Sequence, residues 1–195
     1  MLVSGRGSNL QALIEAVSDG RVNGRIAVVL SNVAGVFALE RAERAGIPTA
    51  VVDHRGWPAR DEFDRAVVAE LQKHDVSLVC LAGFMRRLGK PVLQAFPDAV
   101  LNIHPSLLPS FPGLHPQRQA LDHGSKLSGV TVHLVTEELD AGPILVQRPV
   151  PVLDDDTEDS LSARILAEEH VAYPAAVQMM IAGGWRVSGR RFLRS

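Results

Sequence analysis

Val76-Ser77-Leu78-Val79-Cys80-Leu81-Ala82 and Ala99-Val100-Leu101-Asn102-Ile103 are two nearly continuous apolar runs near the middle of the chain. Apolar runs of this kind, without polar alternation, are typical of strands buried on both faces of a parallel sheet. Short β-branched segments and helical patterns alternate in the residues before them. This rhythm predicts an α/β fold built on an open, doubly wound, mostly parallel sheet, Rossmann-like in type.

The first half of the chain supplies the other strands and helices of this sheet. Apolar periodicity predicts strands at 2–4, 26–30 and 50–52, and helices at 9–18, 37–45 and 61–74. In the common strand order 3-2-1-4-5, the loops after strands one and four flank one crevice. The first strand is short for a buried strand, which leaves open whether a few residues precede Met1 in the full protein.

The second half departs from this alternation. Residues 129–135 and 144–152 are predicted strands with no helix between them, which favours an antiparallel pair. A long amphipathic helix is expected over 157–181, with Thr157 as its N-cap and a kink at Pro174. Residues 185–193 form a short terminal strand or hairpin. We expect a single domain over residues 1–195.

Composition narrows the class of protein. The 195 residues are 46% hydrophobic and 22% charged, which is ordinary for a globular protein. The net charge of −2 argues against nucleic-acid partners. The single cysteine, Cys80, excludes an internal disulfide and is expected to be a buried thiol. No membrane span or signal peptide is evident, so we expect a cytoplasmic protein. Oligomeric state is left open.

Polar residues at the end of the second apolar run form the first candidate site. Asn102 and His104 are two apart on a strand, so their side chains point to the same side. A carboxylate close to a histidine favours the imidazolium, and Asp140 in Leu139-Asp140-Ala141-Gly142-Pro143 is the candidate. An amide donor and an imidazolium together make an oxyanion site for acyl transfer. A plain polar strand end is the alternative for Asn102 and His104 alone.

Two further loops are candidates for binding ligands. The turn Ser4-Gly5-Arg6-Gly7-Ser8-Asn9 precedes a helix whose free N–H groups suit a phosphate. It matches neither the dinucleotide fingerprint nor the P-loop, so a monophosphate fits better, and a simple strand-to-helix turn remains possible. In the loop Leu81–Leu88, core packing of Phe84 and Met85 and a solvated Arg86 are the alternatives to ligand binding.

The sequence argues against a metal and against a covalent intermediate. His115, His123 and His133 match no standard ligand spacing, so no metal is expected. His133 either supports the site or is simply a satisfied strand residue. The Gly-x-Ser-x-Gly pattern of a nucleophile elbow is absent, which favours direct transfer between two bound substrates.

These motifs together resemble the phosphoribosylglycinamide formyltransferase family, which is folate-dependent and acts in de novo purine synthesis. The resemblance runs nearly end to end and rests on these stretches: 4–11, 82–86, 101–109, 112–115, 129–142 and 169–170. It implies transfer of formyl from 10-formyltetrahydrofolate, as co-substrate, to the amine of glycinamide ribonucleotide. Small-molecule substrates are therefore the expected partners.

The resemblance also implies roles for individual residues. His104 would be the acid/base, Asn102 the oxyanion donor and Asp140 the carboxylate that tunes His104. The implied ribonucleotide-binding residues are Gly7, Ser8, Asn9 and Glu169. The implied folate-binding residues are Arg60, Met85, Arg86, Arg87, Leu88, Asn102, Thr136, Glu137, Glu138, Leu139 and Asp140. Related enzymes suggest a cis Leu108-Pro109 bond. Ala141 and Pro116 depart from the family pattern, the first where a glycine is common.

Other functions remain open at this point. Another formyl-folate enzyme, a hydrolase or a transferase acting on a different amine, would use the same Asn, His and Asp chemistry. A non-catalytic nucleotide-binding module would need none of it. The phosphate-type turn and Pro112-Gly113-Leu114-His115 favour the ribonucleotide as substrate.

Overall fold

The computed structural model describes residues 1–194 and divides the chain into two compact units, Met1–Leu101 and the part from Asn102 onward. The first unit holds the alternating elements. They are β1 Leu2–Val3, α1 Ser8–Ser18, β2 Val29–Ser31, α2 Phe37–Arg44, β3 Thr49–Val51, a 3-10 turn His54–Gly56, α3 Arg60–Lys73, β4 Val79–Leu81 and α4 Lys90–Ala95. Strand β5, Val100–His104, crosses the boundary between the units.

The first four strands form a parallel sheet in the order β3-β2-β1-β4. Leu2 pairs with Leu30 on one side and with Leu81 on the other. Leu2, Val3 and Leu30 are wholly buried, as expected for strands covered on both faces. The predicted 3-2-1-4 order is confirmed, so the loops that follow β1 and β4 are neighbours in this unit.

The predicted strand over 76–82 is wrong in its length, because its first residues complete the preceding helix. Asp75 adopts a left-handed conformation with φ of 53°, and the Val76 N–H donates to the Leu71 carbonyl at 3.4 Å. This is a helix C-terminal turn, so the chain enters the sheet only at Val79. The predicted strand over 26–30 likewise begins late, at Val29.

The second unit combines antiparallel strands with one long helix. Its elements are α5 Pro116–Asp122, β6 Leu127–Leu134, β7 Ile144–Pro151, α6 Glu158–Ala182, β8 Trp185–Ser188 and β9 Arg191–Arg194. β6 and β7 pair antiparallel, as predicted, with an irregularity between Val132 and His133. β8 and β9 form the expected terminal hairpin, and β9 pairs parallel with β7.

Helix α6 packs its apolar residues against β6 and β7. Its buried residues include Leu161, Ile165, Tyr173 and Val177, which recur at helical spacing. Thr157 is the N-cap as predicted, and it exchanges hydrogen bonds with Ser160 in a capping box. The helix continues through Pro174, and the kink expected there stays a prediction.

Two short helices, α4 and α5, have no clear signal in the sequence. They contain six and seven residues, which are too few to show an apolar period. Across residues 1–194, no helix combines the length and the apolar character needed to cross a membrane. The C-terminal helix, the antiparallel pair and the parallel sheet predicted from sequence are all present.

Candidate functional site

Strand β5 presents Asn102 and His104 on one side in the second unit. Ile103 between them is buried on the opposite side of the strand, as the two-residue period requires. The strand ends immediately afterwards, because the Ser106 N–H turns back to the His104 carbonyl at 2.9 Å. Both candidate side chains therefore stand at the carboxyl end of a strand.

Both ring nitrogens of His104 face hydrogen-bond acceptors. Nε2 donates to the Phe111 carbonyl at 2.9 Å, and Nδ1 lies 3.6 Å from Oδ2 of Asp140. A carbonyl accepts only, so Nε2 carries a hydrogen, and a second hydrogen on Nδ1 would point at a carboxylate. The His104 side chain is only 7% exposed. The ring is therefore oriented with Nε2 toward the Phe111 carbonyl and Nδ1 toward the Asp140 carboxylate.

Asp140 is held in place by its own backbone and by a neighbouring loop. It adopts a left-handed conformation with φ of 50°, and its Oδ2 accepts the Gly113 N–H at 2.8 Å. Gly142 follows where no side chain fits, because a Cβ there would overlap the Leu134 carbonyl oxygen. Ala141 stands where a glycine is common in the family. Its φ is not positive, so the backbone there does not require glycine.

His133 lies against Asn102 and Asp140, so it contributes to the site and is not merely a strand residue. Its Nδ1 donates to the Leu134 carbonyl at 2.9 Å, which leaves Nε2 to accept the Asn102 Nδ2–H at 3.2 Å. Nε2 is also 3.7 Å from Oδ1 of Asp140. Burial, the largest influence, lowers the pKa of His133 and favours the neutral ring that this arrangement requires.

The segment between His104 and Phe111 is fixed by two polar side chains that the sequence did not single out, of which Thr131 is buried. Thr131 Oγ1 donates to the Ser106 carbonyl at 2.7 Å and accepts the Leu108 N–H at 3.0 Å. Gln147 Nε2 donates to the Leu108 carbonyl at 2.8 Å. The Leu108-Pro109 bond is cis, as predicted. Alternation along β6 puts Thr131 and His133 on one face, which was the available signal.

In the first unit, the glycine turn leads into the N-terminus of α1. Gly7 adopts φ of 70°, and a Cβ there would lie 2.6 Å from Cβ of Ala38. No side chain caps this helix, and a helix N-terminus of this kind suits an anion. Ser8 is half-buried and Asn9 is buried. The Arg6 carbonyl is held by Nε of Arg41 at 3.0 Å.

The first-unit residues implied to bind folate lie on α3 and in the segment between β4 and α4. Met85 is 67% exposed, Arg86 and Arg87 are exposed, and Leu88 is buried. Arg60, the first residue of α3, reaches this segment, since a Cβ on Gly89 would lie 2.5 Å from its Nη2. The structure thus brings these implied residues together.

The remaining implied residues belong to the second unit. Residues 136–139 are exposed in the loop before Asp140, where Thr136 Oγ1 donates to the Glu138 carbonyl at 3.2 Å. Glu169 is buried on α6. Within residues 1–194, no group of three or more His, Cys, Asp or Glu side chains is arranged to hold a metal ion.

Known proteins resemble the chain along most of its length. A family model described as formyl transferase matches residues 1–177. The phosphoribosylglycinamide formyltransferase of Escherichia coli (strain K12) is 43% identical over 183 residues, covering 94% of this chain and 86% of that protein. The trifunctional purine biosynthetic protein adenosine-3 of Drosophila melanogaster is 48% identical over 185 residues, or 94% of this chain. The chain spans only 14% of that longer protein.

Solved structures agree with the sequence comparisons. Glycinamide ribonucleotide transformylase 1 from Symbiobacterium toebii matches with a TM-score of 0.96 at 52% identity, over 98% of this chain and 90% of that chain. Phosphoribosylglycinamide formyltransferase from Coxiella burnetii, in complex with CHES, matches with a TM-score of 0.93 at 38% identity, over 99% and 90% of the two chains. The chain therefore belongs to the formyl transferase family, and within it is similar to phosphoribosylglycinamide formyltransferases.

Proposed function

We propose that the chain transfers the formyl group of 10-formyltetrahydrofolate to the primary amine of glycinamide ribonucleotide in de novo purine biosynthesis. The observation that carries the proposal is the surrounding of His104, whose two ring nitrogens face the Phe111 carbonyl and the Asp140 carboxylate. The similarity to phosphoribosylglycinamide formyltransferases supports the acceptor, and membership of the formyl transferase family supports a formyl-folate donor.

Asn102, His104 and Asp140 divide the chemistry between them. The substrate amine, which like other α-amines has a pKa of about 7.7–8.0 in water, attacks the formyl carbon in its neutral form. Charge develops on the formyl oxygen, where the second Asn102 N–H and the His104 Nδ1–H stabilise it. The hydrogen bond from Nε2 to the Phe111 carbonyl holds the ring in this orientation.

The collapse of this intermediate completes the transfer. The bond from the formyl carbon to the folate N10 breaks, and the proton lost by the attacking nitrogen ends on N10. Asp140, whose carboxylate faces the His104 ring, assists this proton movement through water. His133 stays neutral and holds the Asn102 amide in the orientation that leaves one N–H for the substrate.

Direct transfer is supported by the chemistry of the residues near His104. A covalent route needs a hydroxyl or thiol activated by a base. The nearest hydroxyl along the chain, on Ser106, is wholly buried and donates to the Ser110 carbonyl at 2.5 Å. It therefore has neither exposure nor a free proton for acyl transfer.

Substrate contacts are proposed for each unit separately. In the first, Gly7, Ser8 and Asn9 bind the ribonucleotide phosphate at the N-terminus of α1, and Arg60 with residues 85–88 binds the folate. In the second, Glu169 binds the ribose and the loop 136–140, with Asn102, binds the folate. We further propose that residues 1–195 act as one formyltransferase domain in the cytoplasm, without a metal, since the family match extends through both units.

Product analysis with and without the acceptor tests the proposal. The purified chain is given 10-formyltetrahydrofolate, and formyl-folate loss is followed with and without glycinamide ribonucleotide. We expect loss only when the ribonucleotide is present, with one formylated product per folate released. The Asn102→Ala variant should lose turnover, whereas the matched surface variant Gln72→Ala should retain it.

Other outcomes assign other functions. Formate released without the ribonucleotide would indicate a hydrolase. Formylation of a different amine in preference to the ribonucleotide would indicate another transferase. Ribonucleotide binding without formyl transfer would indicate a nucleotide-binding module. Each of these results contradicts the proposal.

A further inference from the structure

We infer that Ser4 and Asp64 are positioning residues that fix the backbone of the segment 85–89, which we call the β4–α4 loop, for folate binding. The inference rests on the proposed function, because that function assigns this loop to the folate. Asp64 is not among the site residues expected from sequence, and Ser4 belongs to the candidate phosphate turn but has no role assigned to it there. Both act from outside the loop, one at each end.

Ser4 fixes the first end of the β4–α4 loop. It follows β1, and its Oγ accepts the Met85 N–H at 2.8 Å while donating to Oδ1 of Asn32 at 2.5 Å. The hydroxyl thus both donates and accepts a hydrogen bond. Its acceptor, Asn32, is buried at the end of β2. Because β1 and β4 are parallel neighbours, a side chain just beyond β1 can reach the loop that follows β4.

Asp64 fixes the second end. Its Oδ2 accepts the Gly89 N–H at 2.7 Å, one residue before α4 begins. The residue lies on the buried face of α3 beside Phe63 and Val67 and is wholly buried. Its Oδ1 has no hydrogen-bond partner within the described residues 1–194.

A carboxylate in this position is costly for folding alone. Burial raises the pKa of Asp64, and the Gly89 N–H and the Arg60 charge oppose that rise. Helix stability does not require it, because an apolar residue would continue the buried face of α3 better. What the carboxylate supplies is an acceptor for Gly89 and a negative charge one helical turn from Arg60.

The two anchors bracket the part of the loop that faces solvent. Between them, Arg86 and Arg87 are exposed, and no helix or strand orders the backbone there. Ordering such a segment on binding costs conformational entropy, and fixing its ends in advance reduces that cost. Loss of either anchor should therefore weaken folate binding while leaving the ribonucleotide unaffected.

Two ligand titrations and amide exchange test the inference without turnover. The dissociation constants of a non-transferable formyl-folate analogue and of glycinamide ribonucleotide are measured for the parent, Ser4→Ala, Asp64→Ala, Asp64→Asn and the control Glu62→Ala. Glu62 is an exposed neighbour on α3. Hydrogen exchange at the Met85 and Gly89 amides is measured on the same proteins.

We expect about ten-fold weaker analogue binding in Ser4→Ala and Asp64→Ala, as for loss of one strong hydrogen bond. Exchange should rise at Met85 in the first and at Gly89 in the second. Asp64→Asn keeps an acceptor oxygen and should retain most of the affinity, and Glu62→Ala should behave as the parent. Ribonucleotide affinity should be unchanged throughout.

The inference is overturned if analogue affinity stays within two-fold of the parent in both alanine variants, or if both ligands weaken equally. Asp64→Asn as weak as Asp64→Ala would also overturn it. If Asp64→Ala does not fold, the analogue affinities of Ser4→Ala and Asp64→Asn still test the inference. A parent that binds the analogue but forms no formylated ribonucleotide would refute the proposed function and leave the anchors standing.

Discussion

The Nε2 atom of His133 lies 3.2 Å from the Asn102 amide nitrogen and accepts one of its hydrogens. The opposite ring nitrogen is committed to the Leu134 carbonyl, so the ring can accept here only while neutral. Asn102 is thereby fixed with its second N–H free. In the proposed mechanism that N–H stabilises the formyl oxygen.

His133→Leu removes this acceptor with little change in volume. Asn102 should then lose its fixed orientation, and kcat should fall about ten-fold or more, the value of one hydrogen bond to a buried group. Both KM values should change little. The control is Ser128→Ala, which removes a buried hydroxyl without a hydrogen-bond partner in residues 1–194 from the same strand. Equal kcat losses in the two variants would contradict the role of His133.

The same histidine predicts how stability depends on pH. Burial lowers the pKa of His133 below its ordinary 6.5, so the unfolded chain binds a proton more readily than the folded one. Burying the neutral ring therefore leaves the free energy of unfolding unchanged above about pH 6.5. Below that pH it lowers the free energy of unfolding progressively. A native pKa one pH unit lower is worth about 1.4 kcal/mol.

Urea unfolding at several pH values measures this effect. The free energy of unfolding of the parent should fall more steeply below pH 6.5 than that of His133→Leu, because only the parent carries this linked proton. Using the difference between the two proteins removes the contribution of shared carboxylates. Parallel curves for the two proteins would show that His133 is not the source.

Gly7→Val tests the phosphate turn. The new Cβ would meet Ala38 at 2.6 Å, in a backbone with φ of 70° that valine rarely adopts. The ribonucleotide KM should rise far more than the folate KM. Gly20→Val is the control, since Gly20 has a similar φ of 79° but open space around it. A proportionate rise in both KM values for Gly7→Val would indicate a general folding defect instead.

Gly89→Ala displaces Arg60 without replacing it. Gly89 has no positive φ, but the added methyl would lie 2.5 Å from Nη2 of Arg60 and 3.0 Å from Oδ2 of Asp64, so the flexible Arg60 side chain must move and the Asp64 contact is crowded. The folate KM should increase, with the ribonucleotide KM unchanged. Gly56→Ala places a methyl in open space and serves as the control. An unchanged folate KM would remove Arg60 from the folate site.

Local sequence patterns predicted much of the fold and part of the site. Strand order followed from the alternation of strands and helices, and Asn102 and His104 follow from the two-residue period of a strand. Local patterns did not predict the roles of Thr131, Gln147 and Asp64. Their hydrogen-bond partners lie far along the chain and are brought close only by packing. Thr131 bonds to Ser106, for example, and Asp64 to Gly89. For Thr131 and Asp64, a polar residue on an otherwise apolar face was the one local sign.

The assignment of Asp140 as the carboxylate that serves His104 is tested most directly by the turnover of Asp140→Asn. Asparagine keeps an oxygen for the Gly113 N–H but removes the charge that faces His104. Ribonucleotide-dependent loss of formyl-folate is measured for this variant and for the exposed control Asp122→Asn. We predict a kcat loss on the order of 10²–10⁴ with both KM values near the parent's, as for loss of a group that assists proton transfer. A kcat within a few-fold of the parent would contradict the account and leave Asp140 as a residue that only shapes its loop.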